Sequence, residues 1–171
     1  MANTKLSGQK IAIMVATGFE EKNFVEIQKM LMGQNAQLKV ISASIGLVQG
    51  RTGTQLGMFY PVDSQLSETL AVDFDALIIP SGETHLATLA EELHSARIIK
   101  AFLRENMPIL VQGDALNLIC EIDTAIQADL IRAQGKTGLH NRLLWAETET
   151  SIATITREFV DVCLAKQDAN N

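Results

Sequence analysis

The side chains best placed to do chemistry gather around one turn, Pro108-Ile-Leu-Val-Gln-Gly113-Asp114-Ala115, where a buried strand passes abruptly into a helix. A strand-to-helix elbow lifts its apex residue clear of the sheet edge, which is why hydrolytic α/β proteins put a nucleophile there. Here the apex is Gly113, which suits strained positive-φ geometry but carries no atom that can attack. Asp114 has two open roles. It could be a general acid or base at the C-terminal edge of the sheet, where open α/β sheets place ligands. The reading favoured by its position is the N-cap of the helix, its carboxylate accepting a backbone N–H at the positive helix end. Glu20 and Glu21 fall in the loop after the first strand. Glu20 in particular could pair with Asp114 and raise one carboxylate pKa into a working range, although acidic residues also simply stabilise the first turn of a helix. His94 and His140 have no carboxylate or cysteine at metal-ligand spacing, so no metal site is expected.

Composition narrows the partners. A net charge of −6 and a pI near 5.0, with no Lys/Arg cluster, argue against a surface for nucleic acid or anionic lipid. Cys120 and Cys163 form neither a CxxC pair nor a disulfide framework, and each lies in an apolar helical pattern. They read as buried, reduced thiols. The opening residues lack the apolar run of a signal peptide, and no segment is apolar for the roughly 18 residues of a membrane span, so a cytoplasmic location is expected. At 171 residues, one domain with a self-sufficient core is expected, with residues 1–8 and 166–171 as flexible ends.

The elements that must position these residues follow from periodicity. Lys10–Ala16 is a near-continuous apolar run, the pattern of a parallel strand covered on both faces. A helix carries Phe24, Ile27, Met30 and Leu31 on one face, with Gly33 as its C-terminal cap. Gln37–Ala43 is a second strand, and glycines 46, 50, 53 and 57 punctuate a small β-hairpin. Strand Val72–Ile79, helices over Leu86–Leu93 and Ala96–Glu105, and the elbow strand continue the alternation. Between Glu121 and Leu144, Ala125–Ile131 reads as a helix and Leu143–Trp145 as a short strand, with the rest unassigned. Ile152, Ile155, Phe159 and Val162 mark a long closing helix, capped by Thr150 or Ser151. The fold class is therefore α/β, a three-layer sandwich with a mainly parallel central sheet and a hairpin excursion.

This alternation, the Gly-rich hairpin, the Pro80-Ser81-Gly82 turn and the elbow resemble the ThiJ/PfpI superfamily, a flavodoxin-like fold related to class I glutamine amidotransferases. The resemblance implies a catalytic cysteine where this chain has Gly113 and a histidine where it has Asp114. It implies a partner carboxylate at the end of Gly18-Phe-Glu20-Glu21-Lys-Asn23, where this chain has Asn23. It also implies that the Pro80-Ser81-Gly82 turn offers backbone N–H groups to an oxyanion, so that Gly18, Glu20, Asn23, Ser81 and Gly82 outline a pocket. His85 would overhang that pocket, or stand solvated at a helix start. A nearer likeness is to the C-terminal domain of large-subunit catalases, which carries Pro-Ile and Gly-Asp-Ala where this chain has Pro108-Ile109 and Gly113-Asp114-Ala115.

With nucleophile, histidine and acid all replaced, the expected function is non-catalytic, acting through homo-oligomerisation or protein contact, with Met58-Phe59-Tyr60 on the hairpin as an interface element. The alternatives are a hydrolase or lyase using Glu20 and Asp114, or a small-ligand sensor. No cofactor is expected. Trp145 and Tyr60 could stack a flavin, but Ala16-Thr-Gly-Phe-Glu20-Glu21 would meet its phosphate with negative charge.

Overall fold

A computed structural model describes residues 5–169. Strand β1 (Lys10–Met14) leads through a two-residue strand β2 (Phe19–Glu20) into helix α1 (Glu21–Gly33). Then come β3 (Gln37–Ser42), the hairpin β4 (Leu47–Thr52) and β5 (Gln55–Pro61), and the short β6 (Ser64–Gln65). After β7 (Ala76–Ile79), helices α2 (Glu83–Glu91) and α3 (Leu93–Arg104) precede the elbow strand β8 (Ile109–Gln112) and its helix α4 (Ala115–Ile122). The chain ends with α5 (Ala128–Arg132), β9 (Thr137–His140), β10 (Leu143–Ala146) and α6 (Ile152–Ala169). Seven strands form the central sheet in the order β6-β3-β1-β7-β8-β10-β9, parallel except for β9, while β2, β4 and β5 make a separate small sheet.

The strand pattern divides the core in two. Ala12, Met14, Leu77, Ile79, Ile109, Val111, Leu143 and Trp145 point to the side covered by α2, α3, α4 and α5. Their sequence neighbours Ile11, Ile13, Ala76, Ile78, Leu110 and Leu144 point to the side covered by α1 and α6. This two-residue alternation with apolar groups on both faces is what a parallel sheet between two helical layers requires.

Several expected boundaries move. Gly33 is the last residue of α1, and Asn35 (φ 59°) takes the left-handed position instead; asparagine tolerates that region better than most residues. The strand expected from Val72 starts only at Ala76, because residues 71–73 form a short 3-10 turn that leaves Val72 exposed. The helix expected over Ala125–Ile131 spans Ala128–Arg132. Strand β9 was not foreseen: it pairs antiparallel with β10, and the Gln134 side chain takes the place of a further strand on it. Gln134 Oε1 accepts the Leu139 N–H at 2.9 Å and its Nε2 donates to the Leu139 carbonyl at 3.0 Å, which closes part of an otherwise open sheet edge.

Near the expected flexible ends, Leu6 is fully buried in the α1/α6 cluster. The backbone remains helical to Ala169; residues 1–4 and 170–171 lie outside the described residues. Ser151 caps α6, its Oγ accepting the Thr154 N–H at 3.3 Å. Among the described residues no helix is long and apolar enough to cross a membrane.

Candidate functional site

The connection from β3 leaves one side of β1 and returns as β7 on the other, so the order of the sheet reverses between β1 and β7. The crevice beyond such a reversal is where open α/β sheets hold ligands. Here the ends of β1 and β7 are joined by an imidazole. His85, from the first turn of α2, is fully buried; its Nδ1 accepts the Ala16 N–H at 2.9 Å beyond the end of β1. Because Nδ1 is an acceptor, Nε2 must carry the proton, and it donates to the Pro80 carbonyl at 2.9 Å beyond the end of β7. Burial pulls the His85 pKa down to about 4, opposed in part by the bond to Pro80. His85 thus neither overhangs a pocket nor stands in solvent; it ties the two strand ends together as a neutral ring.

The loops above it touch backbone to backbone. The Glu20 N–H donates to the Ser81 carbonyl at 2.9 Å. Gly82 (φ 136°) lies so close to the first loop that a Cβ there would sit 2.7 Å from the Gly18 carbonyl oxygen, an approach only glycine allows. Asn23 is buried, and its Nδ2 donates to Ser81 Oγ at 3.2 Å. The position expected to hold an acid therefore holds an amide used up in a structural bond.

At the elbow, Gly113 has φ 53°. Its N–H donates to the Ala146 carbonyl at 2.8 Å, and its own carbonyl accepts the Trp145 Nε1–H at 3.0 Å, so β10 clasps the turn on two sides. A Cβ on Gly113 would collide with the Thr148 hydroxyl and come 3.4 Å from Ser81 Cβ. Thr148, from the loop between β10 and α6, occupies the space into which an apex side chain would project. Gln112, just before the apex, is buried with its amide oxygen unpartnered. Neither Thr148 nor Gln112 was singled out from sequence, because only the return of β10 alongside β8 brings Thr148 to the elbow.

Asp114 occupies the N-cap position of α4 without capping it. Its backbone is already helical (φ −73°, ψ −4°) and no side-chain cap bond forms; a capping residue needs extended backbone for its oxygen to reach back. The carboxylate is 85% exposed, 3.8 Å from Arg132 Nη2, and does not line the cleft that contains Glu20. The alternative in which Glu20 pairs with Asp114 finds no support, since Asp114 lies beside Arg132 and outside the cleft that Glu20 lines. Glu21 instead supports the hairpin: its Oε2 accepts the Met58 N–H at 2.6 Å and lies against Gly50 and Gly57. Burial, and then the Glu21 carboxylate, raise the pKa of the Tyr60 phenol beside it. Tyr60 packs on Phe19 and Phe24, and Trp145 in the core below the elbow.

The thiols differ from expectation in one respect. Cys163 is buried, and burial, with a smaller push from Asp75, raises its pKa to about 12. Cys120 is only half-buried, although burial still raises its pKa against the pull of Arg132. What remains open near the sheet edge is a cleft of about 230 Å³ lined by Gly18, Glu20, Arg51, Gly82 and Glu83, among others. Gly113, Asp114, Asn23, Ser81 and His85 do not line it.

The sequence pattern of the DJ-1/PfpI family matches residues 9–123. General stress protein 18 of Bacillus subtilis is 30% identical over 103 residues, 60% of this chain and 58% of that protein. Catalase HPII of Pseudomonas putida is 27% identical over 100 residues, 58% of this chain but 13% of the catalase. The chain thus spans less than two thirds of the length of these relatives. Among solved structures, a ThiJ/PfpI domain protein from Brachyspira murdochii superposes with a TM-score of 0.75 at 20% identity, covering 93% of this chain and 98% of that one. A two-domain protein from Anabaena variabilis, with DJ-1/ThiJ/PfpI-like and ferritin-like domains, gives a TM-score of 0.76 at 16% identity, over 90% of this chain and 47% of that one.

Proposed function

We propose, from the premise that this chain belongs to the DJ-1/PfpI family, that it is a non-catalytic member related to the appended domain of large catalases and acting through self-association. The observation that carries this reading is the elbow. Gly113 offers no nucleophile, and Thr148 fills the space where one would stand. Around it, Asn23 is committed to Ser81 and Asp114 faces solvent, so a nucleophile introduced there would find neither base nor acid. The same reading places the chain in the cytoplasm, where its two free thiols would stay reduced.

Self-association is supported by the hairpin. The register of β4 and β5 puts Leu47, Phe59 and Pro61 on one face, opposite Val48 and Tyr60, which turn inward. On that outer face Phe59 is 60% exposed and Leu47 55%; apolar exposure of this kind marks contact surfaces. Sedimentation velocity across the micromolar range tests it. The native protein should sediment as a dimer or larger species, and Phe59→Asp as a monomer with an unchanged circular dichroism spectrum. A native protein that stays monomeric over that range overturns the reading.

A further inference from the structure

Glu20 and Arg51 are register partners where β2 runs parallel to β4, and both line the 230 Å³ cleft. Opposite charges set side by side on neighbouring strands ordinarily pair across the ladder. These do not. Among the described residues neither side chain makes a hydrogen bond or ion pair: Glu20 does not cap α1, and Arg51 Nε is buried without a partner. Both residues are half-buried, and the buried Arg51 Nε is left without a partner in the protein. Glu83, in the first turn of α2, brings a second carboxylate to the same lining.

The charge arrangement restricts the occupant. A simple anion would answer Arg51 but face two carboxylates, and a simple cation would leave the guanidinium unanswered. The volume is below the range typical of drug-sized ligands. We propose that this cleft binds a small zwitterion of free amino-acid size, its carboxylate on Arg51 and its ammonium between Glu20 and Glu83. Thr54 and Thr84, which also line the cleft, supply hydroxyls for a polar side chain. The site excludes the elbow and draws on different residues from the outer hairpin face, so it stands or falls independently of self-association.

Isothermal titration calorimetry of the intact chain against the free L-amino acids tests the proposal. At least one should bind with a dissociation constant of about 1 mM or tighter. Blocking its amine by acetylation, or its carboxylate by amidation, should each weaken binding about tenfold or more, as loss of a charge-assisted contact does. Arg51→Met and Glu20→Gln should weaken the unblocked amino acid to a similar degree. Glu20→Gln, on the other strand, keeps the test available if Arg51→Met loosens the hairpin. Absence of binding by every amino acid, or binding indifferent to the blocking groups or to both substitutions, overturns the proposal whatever the oligomeric state.

Discussion

His85 has both ring nitrogens committed to backbone groups, and that fixes how it responds to pH. The folded protein keeps the imidazole neutral down to about pH 4, while the unfolded chain takes up a proton near 6.5. The stabilisation is therefore fully present above about pH 6.5 and is lost as the pH falls toward about 4, some 3 kcal/mol in all. Denaturant unfolding of the native chain should show the midpoint falling through that interval. His85→Gln should lower stability at neutral pH yet flatten the slope between about pH 6.5 and 4. An unchanged slope in the variant would assign the acid sensitivity to other groups. The same residue shows why site roles were hard to see in the sequence. A histidine just after a Pro-x-Gly turn looks available to a ligand, and only the convergence of Ala16 and Pro80 reveals that both its nitrogens are taken.

At the scale of elements, α4 and α6 start in different ways, and substitution should separate them. Ser151 makes a cap bond to Thr154 N–H, so Ser151→Ala should cost about 1 kcal/mol. Asp114 makes none and its carboxylate lies in solvent; Asp114→Ala should change stability by less than about 0.5 kcal/mol. Thermal melts of the two variants give the comparison, and a loss at Asp114 equal to that at Ser151 would show that its carboxylate does cap α4 in solution. Central strands such as β1 and β8 were legible because apolar runs on both faces leave few other solutions. Strand β9 was not, since its four residues carry little pattern and its pairing depends on β10 and on the Gln134 side chain. The replacement of chemistry at Gly113 and Asn23 could be read by setting those residues beside the pattern that the family resemblance implies. The blocking Thr148 and the adjacent, unpaired Glu20 and Arg51 could not, because loop packing and strand register create them.

For the molecule as a whole, the decisive feature is that two apolar clusters share one set of strands. Alternate residues of β1, β7, β8 and β10 belong to opposite clusters, so neither helical layer can come away without exposing strands on which the other depends. A single cooperative unfolding transition is the expected consequence of this shared sheet. Leu6 and Trp145 report on the two sides: Leu6 is buried in the α1/α6 cluster, and Trp145, the chain's one tryptophan, in the other. Leu6→Ala removes a fully buried side chain and should cost about 2–5 kcal/mol. The denaturant midpoint seen by Trp145 fluorescence should fall in step with that seen by far-ultraviolet circular dichroism, although the substituted residue lies across the sheet from the probe. A Trp145 transition that stays in place while the circular dichroism midpoint drops would show that the α1/α6 layer unfolds separately, and that the sheet does not couple the two halves of the core.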